Sequence, residues 1–285
     1  MRKRLIGALV VVVALAFAIP AAAITWGQPD DGEHPFVGTL LFNQAGDGLF
    51  SCSGTMLSPT VMMTAGHCTE GSGQANSDTW VTLDEVVDLA AISNRDRTLY
   101  PTAASFLNDP ANGWIRGTAI PHPQYADFAE FPFTYDVGVI LLSSPVPGLT
   151  EFGELPSLEQ FEFLRRAKGA PEDRRFTVVG YGIQRVIPKS QAQDDYARYK
   201  GETTLTGSES ANTGGVNFKF TNGPGKGHGV GGTCSGDSGG PALWSDTNIV
   251  AAINSFGIAP HCVGNDYMWR ADIAATLDFV TPYLD

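Results

Sequence analysis

The chain has 285 residues, 43% hydrophobic and only 17% charged, with 33 Gly and 18 Pro. That is enough apolar material for one large domain or two smaller ones, and too little low-complexity bias for a disordered chain. The formal net charge of -12 argues against nucleic acid as a partner, because phosphate binding depends on clustered Lys and Arg.

In chain order, Met1-Arg2-Lys3-Arg4 forms a cationic head, Leu5 to Ile19 is an unbroken apolar run, and Ala21-Ala22-Ala23 supplies the small side chains a signal peptidase accepts. Residues 1–23 therefore read as a secretory signal; the run is short of the ~20 residues that span a bilayer, so no stable membrane insertion is expected after cleavage. Removing the segment takes away three basic residues and no acidic ones, leaving a net charge of -15 on 262 residues. An exported chain folds in an oxidising compartment, so Cys52, Cys68, Cys234 and Cys262 are expected to form two disulfides, in one of three connectivities. A metal site using Cys68 with the adjacent His67 is not expected, since no CxxC pair is present.

From Phe36 onward, short β-branched and aromatic runs recur between turn residues: Phe36 to Phe42, Thr55 to Leu57, Val61 to Thr64, Trp80 to Leu83, Val137 to Leu142, Phe176 to Val179, Val216 to Phe220 and Ile249 to Phe256. They predict an all-β sandwich or barrel pair. Ser157-Leu158-Glu159-Gln160 has capping-box spacing and opens a helix closed by Gly169, and Ala271 to Tyr283 has near-helical apolar spacing. Residues 85–115 and 185–215 show no period and are expected to be irregular connections. Asp30-Asp31, Asp84-Glu85 and Asp194-Asp195 read as solvated faces, and His34, His122, His228 and His261 as surface histidines.

Three strings carry the chemistry: Thr64-Ala65-Gly66-His67-Cys68, Tyr135-Asp136-Val137-Gly138-Val139 and Cys234-Ser235-Gly236-Asp237-Ser238-Gly239-Gly240-Pro241. A serine hydroxyl needs a neighbouring base, imidazole is the usual one near neutrality, and the imidazole needs a carboxylate to fix its tautomer. His67, Asp136 and Ser238 supply these groups. The glycines around Ser238 let closely spaced backbone N–H groups face a developing oxyanion, with Gly236 and Ser238 as the expected donors. Gly236-Asp237-Ser238-Gly239-Gly240 also satisfies the GxSxG pattern of α/β-hydrolases, but only 47 residues follow Ser238 and strands do not alternate with helices. The order His, Asp, Ser belongs to a different template.

On these three motifs the sequence resembles a secreted member of the chymotrypsin-like (trypsin-fold) serine peptidase family, over residues 24 to 283. The resemblance implies an all-β fold of two six-stranded Greek-key β-barrels packed around a shared cleft, with a barrel at about 36–150, another at about 170–270 and a C-terminal helix at about 271–283. It carries over His67 as general base, Asp136 as its orienting acid and Ser238 as nucleophile, and it implies disulfides Cys52–Cys68 and Cys234–Cys262. Ser255-Phe256-Gly257 resembles the substrate-binding strand, with Ser255 near the triad acid and Gly257 pairing with an extended peptide. Signal cleavage after Ala23 exposes Ile24-Thr25-Trp26-Gly27, so Ile24 is expected to pair with Asp237 although Thr25 and Trp26 depart from the usual Ile-Val-Gly-Gly. Gly232 stands where trypsins carry the pocket Asp, and Asp266 stands where a pocket-lining Gly is usual. The function implied is a secreted, extracellular serine endopeptidase acting on polypeptides, monomeric, without cofactor or metal, and open to a proteinaceous inhibitor. The alternative is a catalytically silent homologue acting as a binding or adhesion protein.

Overall fold

The computed structural model describes residues 24–44, 48–70, 78–166, 169–186, 194–223, 231–259 and 261–284; the expected signal and His228 lie outside them. Thirteen strands are described: β1 Gln28–Pro29, β2 Val37–Gln44, β3 Gly48–Met56, β4 Val61–Thr64, β5 Asp78–Thr82, β6 Ile115–Pro121, β7 Gly138–Leu142, β8 Arg175–Gly180, β9 Tyr199–Gly207, β10 Asn217–Asn222, β11 Pro241–Trp244, β12 Val250–Gly257 and β13 Gly264–Arg270.

They form two closed six-stranded antiparallel barrels. The first runs β2-β3-β4-β7-β6-β5 and closes through β2 and β5; the second runs β9-β10-β13-β12-β11-β8, closes through β8 and β9, and carries β1 on the edge of β9. Closure gives every barrel strand among the described residues a partner on each side. The first is filled by aliphatic side chains such as Leu40, Met62, Val81, Val139 and Ile140. The second is filled by Phe161, Phe176, Phe218 and Phe220, packed edge to face with ring centroids 5.1–6.4 Å apart, each contributing roughly 1.5–3 kcal/mol by burial.

Several elements differ from the sequence reading. The helix expected from Ser157 is a series of turns with one 3-10 turn, Glu162–Leu164. Gln160 Oε1 does accept from Ser157 N (2.9 Å), but Glu159 takes φ 58 and the next backbone donors go to Asp272 instead, from Glu159 N (2.7 Å) and Phe161 N (2.8 Å). Tertiary partners outcompete the local helix there. The stretch 85–115 contains α1 Leu89–Asn94 and α2 Ala103–Leu107, N-capped by Asp88 and Thr102, and 185–215 contains β9. The C-terminal segment is α3 Ala274–Val280, followed by a 3-10 turn Thr281–Tyr283 where Pro282 interrupts α-helical bonding. Asp30 is fully buried rather than solvated, bonded to Arg198 Nε and His34 N, both at 2.9 Å. His122 is also buried, stacked on Tyr135 and edge-on to Phe279 at 5.0 Å each.

Candidate active site

His67 lies in a 3-10 turn, Gly66–Cys68, that leaves the buried strand β4, and Asp136 lies just before β7. Thr64 of β4 pairs with Gly138 of β7, so both side chains emerge at one end of the first barrel. Tyr135 takes φ 49, a left-handed conformation that a non-glycine residue keeps only when its surroundings hold it. Stacking on His122 and contact with Trp269, 5.5 Å between centroids, hold it.

The Asp136 carboxylate is fully buried and surrounded by donors. Oδ1 accepts from His67 N at 2.9 Å, His67 Nδ1 lies 2.9 Å from Oδ2 and 3.1 Å from Oδ1, and Ser255 Oγ donates to Oδ2 at 2.5 Å. The β12–β13 register shifts between Asn254 and Phe256, and this bulge at Ser255 re-aims its hydroxyl out of the ladder. A carboxylate on Nδ1 fixes the proton there and leaves Nε2 as the free lone pair. Burial alone lowers the imidazole pKa, but the charge of Asp136 and its hydrogen bond outweigh it and hold His67 above its usual 6.5.

Ser238 is brought to the same end of the cleft from the second barrel. Its carbonyl accepts from Ser53 N of β3 (2.7 Å) and lies 3.7 Å from the sulfur of Cys68, the residue after His67. Among the described residues Ser238 Oγ makes no hydrogen bond to His67; such pairs commonly tighten only when substrate is bound. The turn is fixed by Asp237 N to Cys234 O (3.0 Å), Gly239 N to Asn254 O (2.8 Å) and Gly240 N to Asp237 O (2.9 Å). The amides of Gly236 and Ser238 have no partner among the described residues. Gly236 has φ 98, and a Cβ there would lie 2.8 Å from Gly182 Cα, so only glycine fits this turn.

Two disulfides, Cys52–Cys68 and Cys234–Cys262, flank these turns. Their formation spends the sulfurs nearest His67, so that cluster offers no thiolate to a metal.

Beside Ser238 opens a cavity of about 220 Å³ lined by Thr233, Ser255, Gly257, Val263 and Asp266 among others. Asp266 is buried; Asn222 Nδ2 donates to its Oδ1 (2.6 Å) and Thr233 N to its Oδ2 (2.7 Å). Burial pushes this carboxyl up to about 6, against the lowering effect of those bonds. Gly232 does not line the cavity, because Asn222 covers it.

Ile24 is fully buried in the second core, and Thr25 forms a bridge with Gly232. Asp237 accepts from Gly182 N (2.7 Å) and Cys234 N (2.8 Å), with no cation beside it among the described residues. Burial, with Asp266 and Asp194 adding like charge, pushes it up to about 8 despite those two bonds. In the full chain Ile24 carries an amide, so no ammonium is present to neutralise this carboxylate.

The family model described as Trypsin matches residues 24–280. The chain belongs to the trypsin family. Among trypsin-family relatives, a protein named Trypsin from Saccharopolyspora erythraea is 26% identical over 242 residues, covering 79% of this chain and 82% of the relative. CLIP domain-containing serine protease B8 of Anopheles gambiae is 24% identical over 246 residues, with 81% and 59% covered, so the chain spans little more than half of that protein. Solved trypsin-fold structures that resemble it include HL collagenase (TM-score 0.64, 17% identity, 92% and 97% covered) and a scabies mite inactivated protease paralogue (TM-score 0.62, 14% identity, 92% and 97% covered). At these identities the structures establish the fold alone, and they include a protease described as inactivated.

Sequence reasoning had not singled out Ser53, Gly182 or Asn222, which support the site from behind. The Gly180-Tyr181-Gly182 pair was the one visible trace: a Cβ at either glycine would lie 2.4–2.5 Å from the Asp237 carboxylate.

Proposed function

We propose that this chain is a secreted serine endopeptidase. The observation that carries the reading is the buried Asp136 carboxylate gripping His67 through both Nδ1 and the backbone amide, with Ser238 and two uncommitted amides across the cleft. Ser238 Oγ attacks the scissile carbonyl while His67 Nε2 takes its proton; the oxyanion is bound by the amides of Gly236 and Ser238. The intermediate collapses as His67 gives that proton to the leaving amine, and water then hydrolyses the acyl-enzyme by the same base. These steps are the established template of the family, applied to the matching residues.

Ser255 and Gly257 line the groove in which an extended peptide pairs with β12. Signal cleavage after Ala23 converts the Ile24 amide into an ammonium that neutralises Asp237 and steadies the turn beside Gly236. Asp266, ionised above about pH 6, attracts a Lys or Arg side chain entering the pocket. Export suits the two disulfides, and the groove suits a proteinaceous inhibitor as well as a substrate.

The test is labelling with a serine-directed phosphonylating probe, with Ser238→Ala as control. Stoichiometric labelling of wild type and none of the variant is expected; an unlabelled wild type overturns the reading and leaves a silent homologue. Intact mass of the active, secreted species is expected to place its first residue at Ile24. Cleavage of a peptide library is expected to favour basic side chains in wild type and to lose that preference in Asp266→Gly.

A further inference from the structure

Two departures from the family pattern, Thr25 beside the expected N-terminus and Asp266 in the pocket wall, are far apart in sequence. Asn222, at the end of β10, joins them. Its Oδ1 accepts from Thr25 Oγ1 (3.0 Å), and its Nδ2 donates to Asp266 Oδ1 (2.6 Å) and to Thr233 O (2.8 Å). Thr233 N reaches the other Asp266 oxygen at 2.7 Å, and Thr25 Oγ1 is also within 3.1 Å of Gly232 O. Thr25, Asn222, Thr233 and Asp266 are each at most 7% exposed.

Both protons of the Asn222 amide and its carbonyl oxygen are therefore committed. Turning the amide over would aim its oxygen at the Asp266 carboxylate and leave the Thr25 hydroxyl without that acceptor, so one orientation is held. A Cβ at Gly232 would lie 2.1 Å from Asn222 Cγ and 2.2 Å from its Oδ1. The carboxamide thus occupies the volume that any side chain at position 232 would need. Each carboxylate oxygen of Asp266 accepts one of these bonds and keeps acceptor capacity for a group in the cavity beside Ser238.

We propose that Asn222 is a positioning residue that holds Asp266 as the reader of a cationic side chain, Lys or Arg, and that Thr25 links this pair to the seating of the N-terminal segment. The inference rests on the peptidase reading for its physiological ligand, but pocket binding itself does not require Ser238. Seating of Ile24-Thr25 and capture of a cationic side chain then favour one another through the single amide.

The test uses the full secreted chain carrying Ser238→Ala, so that binding is read apart from catalysis. The probes are p-aminobenzamidine, which is cationic, and p-aminobenzamide, its neutral counterpart. Asn222→Leu, which keeps volume but removes the amide, is expected to weaken the cation about tenfold, the scale of a lost hydrogen bond to a charged group, and to leave the neutral probe within about twofold of the parent. Thr25→Val is expected to weaken the cation about threefold. Asn222→Leu added to Asp266→Asn is expected to cost no more than Asp266→Asn alone, because one route carries both effects.

Equal losses for the cationic and neutral probes in both Asn222→Leu and Thr25→Val, or no discrimination between the probes in the Ser238→Ala parent, would overturn the proposal. If Asn222→Leu does not fold, Thr25→Val decides alone, an undiminished affinity for the cation counting against the link. Failure of phosphonylation in wild type with these binding results intact would instead strike the catalytic reading.

Discussion

The first barrel supports its part of the cleft with apolar packing, whereas the second uses buried polar groups. Ala65, Cys68, Val137 and Val139, around His67 and Asp136, all belong to one hydrophobic cluster. Around Ser238 and the pocket stand Asn222, Thr233, Asp237, Asn254, Ser255 and Asp266, all buried; Asn222, Thr233, Asn254 and Asp266 are joined by hydrogen bonds, Asp237 accepts from the Cys234 amide and Ser255 donates to Asp136. An apolar frame fixes a position through shape and tolerates small volume changes at modest cost, while a polar frame fixes donors and acceptors and suffers whenever one partner is lost. The base and its carboxylate need a constant place. The nucleophile's turn must present amides and a carboxylate in fixed directions, which packing alone does not specify.

The sharpest way to break the comparison is to remove the group that crosses it. Ser238→Ala is expected to lower kcat by about 10⁶-fold, the size seen when the nucleophile of such a triad is removed, with the melting temperature nearly unchanged; steady-state hydrolysis and calorimetry check both. Asp136→Asn follows at about 10⁴-fold, the value established for this carboxylate in the family. It also carries a pH signature. His67 acts as base only when neutral, and Asp136 holds its pKa above 6.5, so kcat/KM of wild type falls as pH drops through that raised value. In Asp136→Asn the acid limb is expected to move to lower pH. A limb that stays in place means another group sets it.

On the other side of the cleft, Gly236→Ala forces a Cβ against Gly182 at φ 98 and displaces one amide from the oxyanion. A loss of about 10²–10³ in kcat with little change in KM is expected. A fall confined to KM would mean that the amide serves ground-state binding.

How much of this was legible in the sequence follows the same division. The barrel strands flanked by turn residues, β2, β4 and β7, stood out because β-branched and aromatic residues run together there. β6, β9 and β13 were missed, since Arg116, Gly117, Lys200, Glu202, Asn265 and Asp266 interrupt the apolar runs and their partners are supplied only by folding, and β11 was missed because it is only four residues long and opens on Pro241. The helix expected from Ser157 failed because Asp272, more than a hundred residues away, takes its backbone donors. Motifs carried His67, Asp136 and Ser238 because chemistry restricts residue type at those positions. The residues behind them carry no motif. Asn222 ends an ordinary strand, and only the space over Gly232 reveals its role. Asp30 read as solvated because its partner Arg198 is 168 residues away.

The smallest expected effect lies at the seam between the two frames. Ser53, on β3 of the first barrel, is buried and touches the nucleophile's turn twice: its N–H donates to Ser238 O (2.7 Å) and its Oγ donates to Gly236 O (2.9 Å). The same hydroxyl accepts from Tyr181 N at 3.0 Å, next to the Gly182 amide that holds Asp237. Ser53→Ala keeps the backbone bond and removes only the hydroxyl, freeing the Gly236 carbonyl and leaving the Tyr181 amide without that acceptor. Loss of one neutral hydrogen bond corresponds to a kcat change of about 2- to 10-fold. If the hydroxyl steadies the Gly236–Asp237 peptide, which lies between the two oxyanion donors Gly236 N and Ser238 N, affinity for a peptide aldehyde, whose hemiacetal oxygen occupies that site, falls in parallel with kcat while KM stays level. A drop in melting temperature with kcat and aldehyde affinity unchanged would instead place Ser53 among the packing residues of the first barrel, and the boundary between the two frames would lie on the far side of β3.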